Sequence, residues 1–102
     1  MLSKKNRLPA NAMRLKEPTS FNFKHFSMKK TENDLGYLRV GVIISTKVDR
    51  LSVGRHRIKR QIMESIRLNW NLKNSYDVII IAFPSLTKLE DKDIQEEVRQ
   101  AQ

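Results

Sequence analysis

Two apolar segments separated by a helix-length amphipathic segment constrain the fold of this chain more than any other feature. The segments Tyr37–Val48 (YLRVGVIISTKV) and Tyr76–Phe83 (YDVIIIAF) are rich in β-branched residues, which favour strands. Between them, residues 53–72 carry isoleucines at the four-residue spacing of a buried helical stripe: Ile58, Ile62 and Ile66. A strand, a helix and a second strand form a crossover connection, which predicts parallel pairing of the strands. The uninterrupted hydrophobicity of the second strand predicts that it lies in the middle of the sheet.

The remaining segments predict a small α+β fold. Ala10–Glu17 is rich in helix formers and lies between Pro9 and Pro18, which predicts a helix of two turns. Phe21–Lys30 is predicted to form one strand, residues 31–36 a turn and Thr87–Gln102 an acidic closing helix. The chain is therefore predicted to be a single domain over residues 1–102, a two-layer α-β-β-α-β-α sandwich that begins with a basic arm over residues 1–9.

The start of the central helix is the most cationic stretch of the sequence. Four strong cations and a histidine occupy the six positions Arg55–Arg60, and Ser52 is the predicted N-cap. The free N–H groups at a helix start add partial positive charge, so arginines there favour phosphate. Because a helix turns 100° per residue, Arg57, Arg60 and Arg67 are predicted to lie opposite the isoleucine stripe.

The charge of the chain is large and uneven. Its net charge is +9 and its isoelectric point is about 10.2. Residues 1–60 contain 15 Lys and Arg against 4 Asp and Glu, whereas residues 61–102 contain 5 against 7. A surplus that served solubility alone would be spread evenly, so this asymmetry favours a basic face that binds a polyanion.

Several other classes of function find little support in the sequence. There is no cysteine, which excludes disulfides and thiol chemistry and fits a reducing compartment. His25 and His56 are far apart, and the cluster Glu90–Asp93 suits the first turn of a helix better than a metal site. No apolar run is long enough for a membrane span or a signal peptide, so a cytoplasmic location is expected. No catalytic side chain and no metal ligand are predicted.

The basic helix itself leaves two kinds of nucleic acid open. A helix that reads the DNA major groove is disfavoured, because a strand and not a short helix precedes it. Closely spaced arginines suit the backbone of a folded RNA, which proteins recognise mainly by its shape and phosphates. Phe21 and Phe23 can either stack on unpaired bases or pack in the core.

Four segments together resemble the protein subunit of bacterial ribonuclease P. RHRIKRQIMESIR (Arg55–Arg67) resembles the RNR-motif helix of that family, in which an Arg-Asn-Arg-x-Lys-Arg pattern is usual. LRVGVIISTKV and YDVIIIAFP resemble the strands on either side of the motif, and KKNRL (Lys4–Leu8) resembles the N-terminal signature. The resemblance extends over most of the chain, and its segments occur in the expected order.

This resemblance implies both a fold and a function. The implied fold contains an unusual left-handed βαβ crossover, like that of a domain of ribosomal protein S5. The implied function is that of the protein subunit of a ribonucleoprotein endoribonuclease, in which a catalytic RNA removes the 5′ leader of precursor tRNA. The implied partners are ribonuclease P RNA and precursor tRNA, with no membrane and no obligate protein partner. Mg²⁺ would be held mainly by the RNA and the substrate, and none tightly by the protein.

The resemblance also implies roles for particular residues. The candidates for contact with the catalytic RNA are Arg55, His56, Arg57, Lys59, Arg60, Lys47, Arg50, Arg67, Lys4, Lys5 and Arg7. The candidates for a cleft that binds the leader are Phe21, Phe23 and Lys29. The sequence departs from the family pattern at His56, where asparagine is usual, and in the first helix, which lacks the usual aromatic residues. The alternative hypothesis is a ribosomal or other structural RNA-binding protein with no role in cleavage.

Overall fold

A mixed four-stranded sheet and two helices form the two layers of the computed structural model, which describes residues 2–102. The strands are β1 (Thr19–Asn22), β2 (Phe26–Glu32), β3 (Arg39–Ile43) and β4 (Tyr76–Ala82). The helices are α1 (Ser52–Asn69) and α2 (Asp91–Arg99). Short 3₁₀ turns occur at Lys4–Asn6, Ala10–Ala12 and Pro84–Lys88.

The sheet has the order β1-β2-β4-β3, which places β4 between two partners. β4 pairs with β3 in parallel and with β2 in antiparallel orientation. The predictions of a central β4 and of a parallel β3–α1–β4 crossover are therefore confirmed. The left-handedness of this crossover stays a prediction.

The core lies between α1, α2 and one face of the sheet, here called the helix face. The predicted stripe on α1 is confirmed, because Ile58, Ile62 and Ile66 are all fully buried. They pack in one cluster with apolar residues of the strands and of α2, including Phe26, Met28, Val40, Val78, Ile80, Ile94 and Val98. Trp70 is also buried, and its indole Nε1 donates to the Val98 carbonyl at 2.9 Å. This hydrogen bond joins the end of α1 to α2.

The predicted first helix over Ala10–Glu17 is wrong. Only Ala10–Ala12 forms a 3₁₀ turn. The chain then crosses the sheet face opposite the helices, here called the open face, where the Lys16 carbonyl accepts from the Thr31 hydroxyl at 3.4 Å. Met13 nevertheless docks: a Cβ added to Gly41 would lie 2.4 Å from its sulfur atom. Glycine in β3 therefore leaves space for this crossing. A segment of eight residues is too short to hold a helix without packing along it.

The predicted single strand Phe21–Lys30 is also wrong, because the segment contains the bend of a β-hairpin. β1 ends at Asn22, and the Phe23 amide closes the bend by donating to the Phe26 carbonyl at 2.9 Å. The His25 carbonyl accepts from the Phe83 amide at 2.9 Å, which holds the bend against the end of β4. The bend lacks glycine, proline and asparagine within it, so the sequence carried no ordinary turn signal.

Other element boundaries differ from the predictions by smaller amounts. α1 begins at Ser52, and Leu51 is the N-cap residue, so the prediction that Ser52 caps the helix is wrong. The predicted closing helix is divided into the turn Pro84–Lys88 and the shorter α2, and β3 ends at Ile43. The predicted acidic first turn of α2 is confirmed by Asp91 and Asp93.

The basic arm is ordered along the outer edge of β3. Met1 lies outside the described residues, whereas Leu2 is buried in the core. The Asn6 side-chain amide donates to the Leu38 carbonyl at 2.7 Å, and the Leu8 amide donates to the Val40 carbonyl at 2.9 Å. The arm therefore covers the first part of an otherwise unpaired sheet edge.

One ion pair ties β3 to β4 on the open face. The Arg39 guanidinium donates to both carboxylate oxygens of Asp77, at 2.9 and 2.7 Å, and the Asn33 amide donates to the same carboxylate at 2.9 Å. Burial alone would raise the pKa of Asp77, but the hydrogen bonds from Arg39 and Asn33 outweigh it and lower the pKa. The pair also raises the pKa of Arg39.

We expect Asp77→Asn to lower the free energy of unfolding by about 2 kcal/mol at pH 7, since it removes a buried, charge-assisted hydrogen bond. Because the pKa of Asp77 is lower in the folded state, this stabilisation is present above the ordinary carboxyl pKa. It is lost as the pH falls through the lowered value. Urea unfolding of the variant and the wild type at pH 7 and pH 3 measures both the loss of stability and its dependence on pH. A difference between variant and wild type that stayed constant down to pH 3 would contradict the assignment.

Candidate nucleic-acid interface

A carboxylate of the protein itself lies beside the start of α1. Asp49 Oδ1 accepts from the Leu51 amide at 3.0 Å. The other carboxylate oxygen would lie 1.8 Å from a Cβ on Gly54, so glycine at this position permits the approach. An internal anion therefore lies next to the start of α1 and would compete there with a phosphate.

Two of the motif arginines are engaged within the protein. Arg55 is half-buried, and its Nη1 donates to the carbonyls of Asp49 and Arg50 at 2.9 and 3.0 Å. Arg55 therefore holds the connection between β3 and α1. Arg57 forms an ion pair with Asp91 in the first turn of α2, and both side chains stay partly exposed.

The other motif side chains face solvent. His56, Lys59 and Arg60 are exposed, as expected from their positions around the helix relative to the isoleucine stripe. Within residues 2–102, neither Lys59 nor Arg60 forms an ion pair. Glu64 lies four residues after Arg60, but it bonds to Arg67. Lys59 and Arg60 therefore present their full charge to solvent.

The arm brings further cations to the same side of the molecule. Lys4, Lys5, Arg7 and Lys59 line one groove of about 620 Å³ between the arm, β3 and α1. The floor of this groove is apolar and includes Val40, Val42, Met13 and Met63. At one end Lys5 Nζ lies 5.0 Å from the centre of the Tyr37 ring, which helps to fix the arm. Among residues 2–102, no acidic side chain lines the groove.

The remaining predicted RNA contacts lie at both ends of α1. Lys47 and Arg50 are exposed in the connection that precedes α1, next to its cationic start. Arg67 lies ten residues after Arg57, or about 15 Å along the helix axis. Its hydrogen bond to Glu64 lowers the pKa of that carboxyl to about 2, so the charge of Arg67 is locally neutralised.

The three predicted leader contacts do not converge on one cleft. Phe21 pairs with Met28 and therefore faces the helix side of the sheet, whereas Lys29 pairs with Ile79 on the open face. Phe23 stacks on Phe26, with ring centres 4.9 Å apart, and packs against the core. The hairpin bend after Asn22 causes this separation. In one continuous strand, the alternation of side chains would have put all three residues on the same face.

Two negative findings apply to the part of the chain that the structure describes. No cluster of three or more His, Asp or Glu side chains could hold a metal ion. No helix has both the length and the hydrophobicity for a membrane span.

The fold and the cationic side of α1 define an α+β protein whose exposed surface suits a polyanion. Within this class, the chain belongs to the Ribonuclease P family, whose model matches residues 3–102. The predicted α+β fold class and the resemblance to the ribonuclease P protein are therefore confirmed.

Individual relatives support the same assignment. The ribonuclease P protein component of Azotobacter vinelandii is 36% identical over 74 residues, and the match covers 72% of this chain and 57% of that protein. The component from Idiomarina loihiensis is 36% identical over 72 residues, covering 71% and 58%. A mutant RNase P protein from Staphylococcus aureus has a similar structure, with a TM-score of 0.83, 26% identity and coverage of 95% and 85%. The matches thus span somewhat more than half of the two sequence relatives.

The Arg57–Asp91 pair gives a prediction about affinity. Because Asp91 competes with any phosphate for Arg57, Asp91→Asn should strengthen binding to a ribonuclease P RNA about 1.5- to 5-fold, the range of an exposed ion pair. Asp93→Asn removes the same charge from the same helical turn without freeing Arg57, so it is the matched control. Equal gains from both variants in a filter-binding assay would attribute the effect to net charge and would contradict a role for the pair.

Proposed function

We propose that this chain is the protein subunit of ribonuclease P and assists a catalytic RNA in removing the 5′ leader of precursor tRNA. The observation that supports it best is the convergence of arm and helix cations on one groove without an acidic residue. This convergence occurs in a chain that belongs to the Ribonuclease P family. The proposed location is the cytoplasm, where tRNA precursors are made in bacteria.

The proposed mechanism is electrostatic. Two RNA molecules that approach each other repel through their phosphates, and cations placed between them lower that repulsion. Lys59, Arg60 and the arm lysines would contact the catalytic RNA directly, while Arg57 would exchange Asp91 for a phosphate. Less Mg²⁺ would then be needed to bring catalytic RNA and substrate together. The Mg²⁺ ions that act in cleavage would be held mainly by the RNA and the substrate.

The open face of the sheet is the proposed surface for the leader. Lys29 is exposed there, next to the polar side chains of Ser20 and Ser27 on neighbouring strand positions. The arm and Met13 cover the other end of this face. The single-stranded RNA leader would lie between them and the hairpin bend. Phe21 and Phe23 lie on the helix side, so Lys29 is the one member of the predicted trio that fits this path.

Stimulation of cleavage at low Mg²⁺ tests the proposal. Addition of the protein to a bacterial ribonuclease P RNA should increase the rate of 5′ leader removal at Mg²⁺ concentrations where the RNA alone is slow. RNA binding without any stimulation of a cognate RNA would instead favour a structural RNA-binding protein.

The double variant Arg57→Ala/Arg60→Ala should weaken binding to the catalytic RNA and should make that binding less sensitive to salt. The binding constant K falls with salt, and each lost phosphate contact makes the slope of log K against log salt less steep by about 0.9. The control is Lys92→Ala/Arg99→Ala, which removes two cations from α2. Both double variants should unfold cooperatively, because none of these residues belongs to the core. Similar slopes for the two double variants would place the RNA elsewhere on the protein.

A further inference from the structure

A second, smaller recess continues the groove on the helix side of β3. It has a volume of about 190 Å³ and is lined by Val42, Ile44, Arg55, His56 and Lys59. Val42 and Lys59 also line the larger groove, so the two recesses adjoin. We call the smaller recess the β3-edge recess. It lies beyond the point where the arm leaves the edge of β3.

The floor of the β3-edge recess is an uncovered part of the core. Val42 and Ile44 are partly buried and pack against the core cluster, yet both contribute surface to the recess. An apolar floor of this kind favours a ligand with a flat, weakly polar surface.

The strand edge adds backbone hydrogen-bonding groups. The Val40 carbonyl faces outward, because it accepts from the Leu8 amide. Outward-facing backbone groups alternate along an edge strand, so those of Val42 also face the outer edge. The one isolated bridge found within residues 2–102 joins Arg7 to Val40, and it ends before Val42. The N–H and C=O groups of Val42 are thus placed to bind the edge of a base.

The walls of the recess are cationic. Arg55 and Lys59 are one helical turn apart on α1, and His56 lies between them in sequence. None of the acidic residues that the structure describes lines the recess. A free phosphate would need the cations but not the apolar floor, and an acyl chain would need the floor but not the strand edge. A nucleotide needs all three features, since it has a phosphate, a flat base and a polar base edge.

The geometry points to the β3-edge recess as a binding site for one unpaired, unstacked nucleotide of a structured RNA. The base lies on Val42 and Ile44 against the His56 ring, and the flanking phosphates contact Arg55 and Lys59. The recess is too small for a duplex, and single-stranded loops and bulges supply such bases. This inference rests on the proposed function, because it takes the RNA subunit as the partner.

Ile44→Trp tests the site by filling the recess without changing its charge. The control is Leu68→Trp, which adds the same side chain at an exposed position in the last turn of α1. The probe is a bacterial ribonuclease P RNA without substrate. Its affinity is measured at several salt concentrations, and its unpaired bases are probed with dimethyl sulfate and a carbodiimide reagent.

We expect the wild-type protein to protect a small number of unpaired bases from the chemical probes. With Ile44→Trp, at least one of these bases should react again. The affinity of Ile44→Trp for the RNA should fall roughly 5- to 100-fold, because one stacked base is lost. The slope of log affinity against log salt should not change. Leu68→Trp should preserve both the affinity and the protection pattern. If Ile44→Trp does not unfold cooperatively, Ile44→Ser replaces it, because it removes the apolar floor without adding volume.

Three results would overturn the inference. Wild-type affinity and an unchanged protection pattern for the Ile44 variant would show that no base occupies the recess. A loss of affinity accompanied by a salt slope reduced by about one would indicate a displaced phosphate contact and no bound base. Failure of the wild-type protein to bind the RNA at all would overturn the proposed function together with this site. The first two results, in contrast, would overturn the site and leave the proposed function intact.

Discussion

The packing of the α1 isoleucine stripe against the central strands is the interaction on which the rest of the structure depends. Ile58, Ile62 and Ile66 are fully buried against the sheet and α2. Because this stripe fixes the rotation of α1 about its axis, it also fixes which motif side chains face solvent. The crossover from β3 to β4 in turn requires α1 to lie across the sheet, since the two strands are parallel neighbours. One apolar contact thus orients the cations.

The motif cations fall into two groups with different physical roles. Arg55 and Arg57 are bound to carbonyl and carboxylate oxygens of the protein, whereas Lys59 and Arg60 are unpaired within the described residues. Binding of RNA by the first group requires an exchange of partners, which offsets part of the gain. Binding by the second group requires only desolvation of an exposed cation. A motif that looks uniform in sequence is therefore energetically uneven, and Lys59 and Arg60 are the motif cations that need no exchange of partners.

The groove at the edge of β3 shows how distant parts of the chain form one surface. The arm contributes Lys4, Lys5 and Arg7, α1 contributes Lys59, and β3 contributes the apolar floor. The arm holds this position through hydrogen bonds to Leu38 and Val40 and through burial of Leu2 in the core.

The sequence alone determined the features that depend on local periodicity and composition. These are the parallel β3–α1–β4 unit, the central position of β4, the buried isoleucine stripe and the cationic side of α1, because the 3.6-residue and two-residue periods carry that information directly. Only the tertiary structure decided the hairpin at Phe23–His25, the extended path of Ala10–Glu17 and the pairing of Arg57 with Asp91. Each of these depends on a partner far away in the chain: Phe83 for the hairpin, Gly41 for the crossing segment and α2 for the arginine. Local preference in these segments is weak, so long-range contacts determined their conformation and, with it, which of the predicted site residues share a surface.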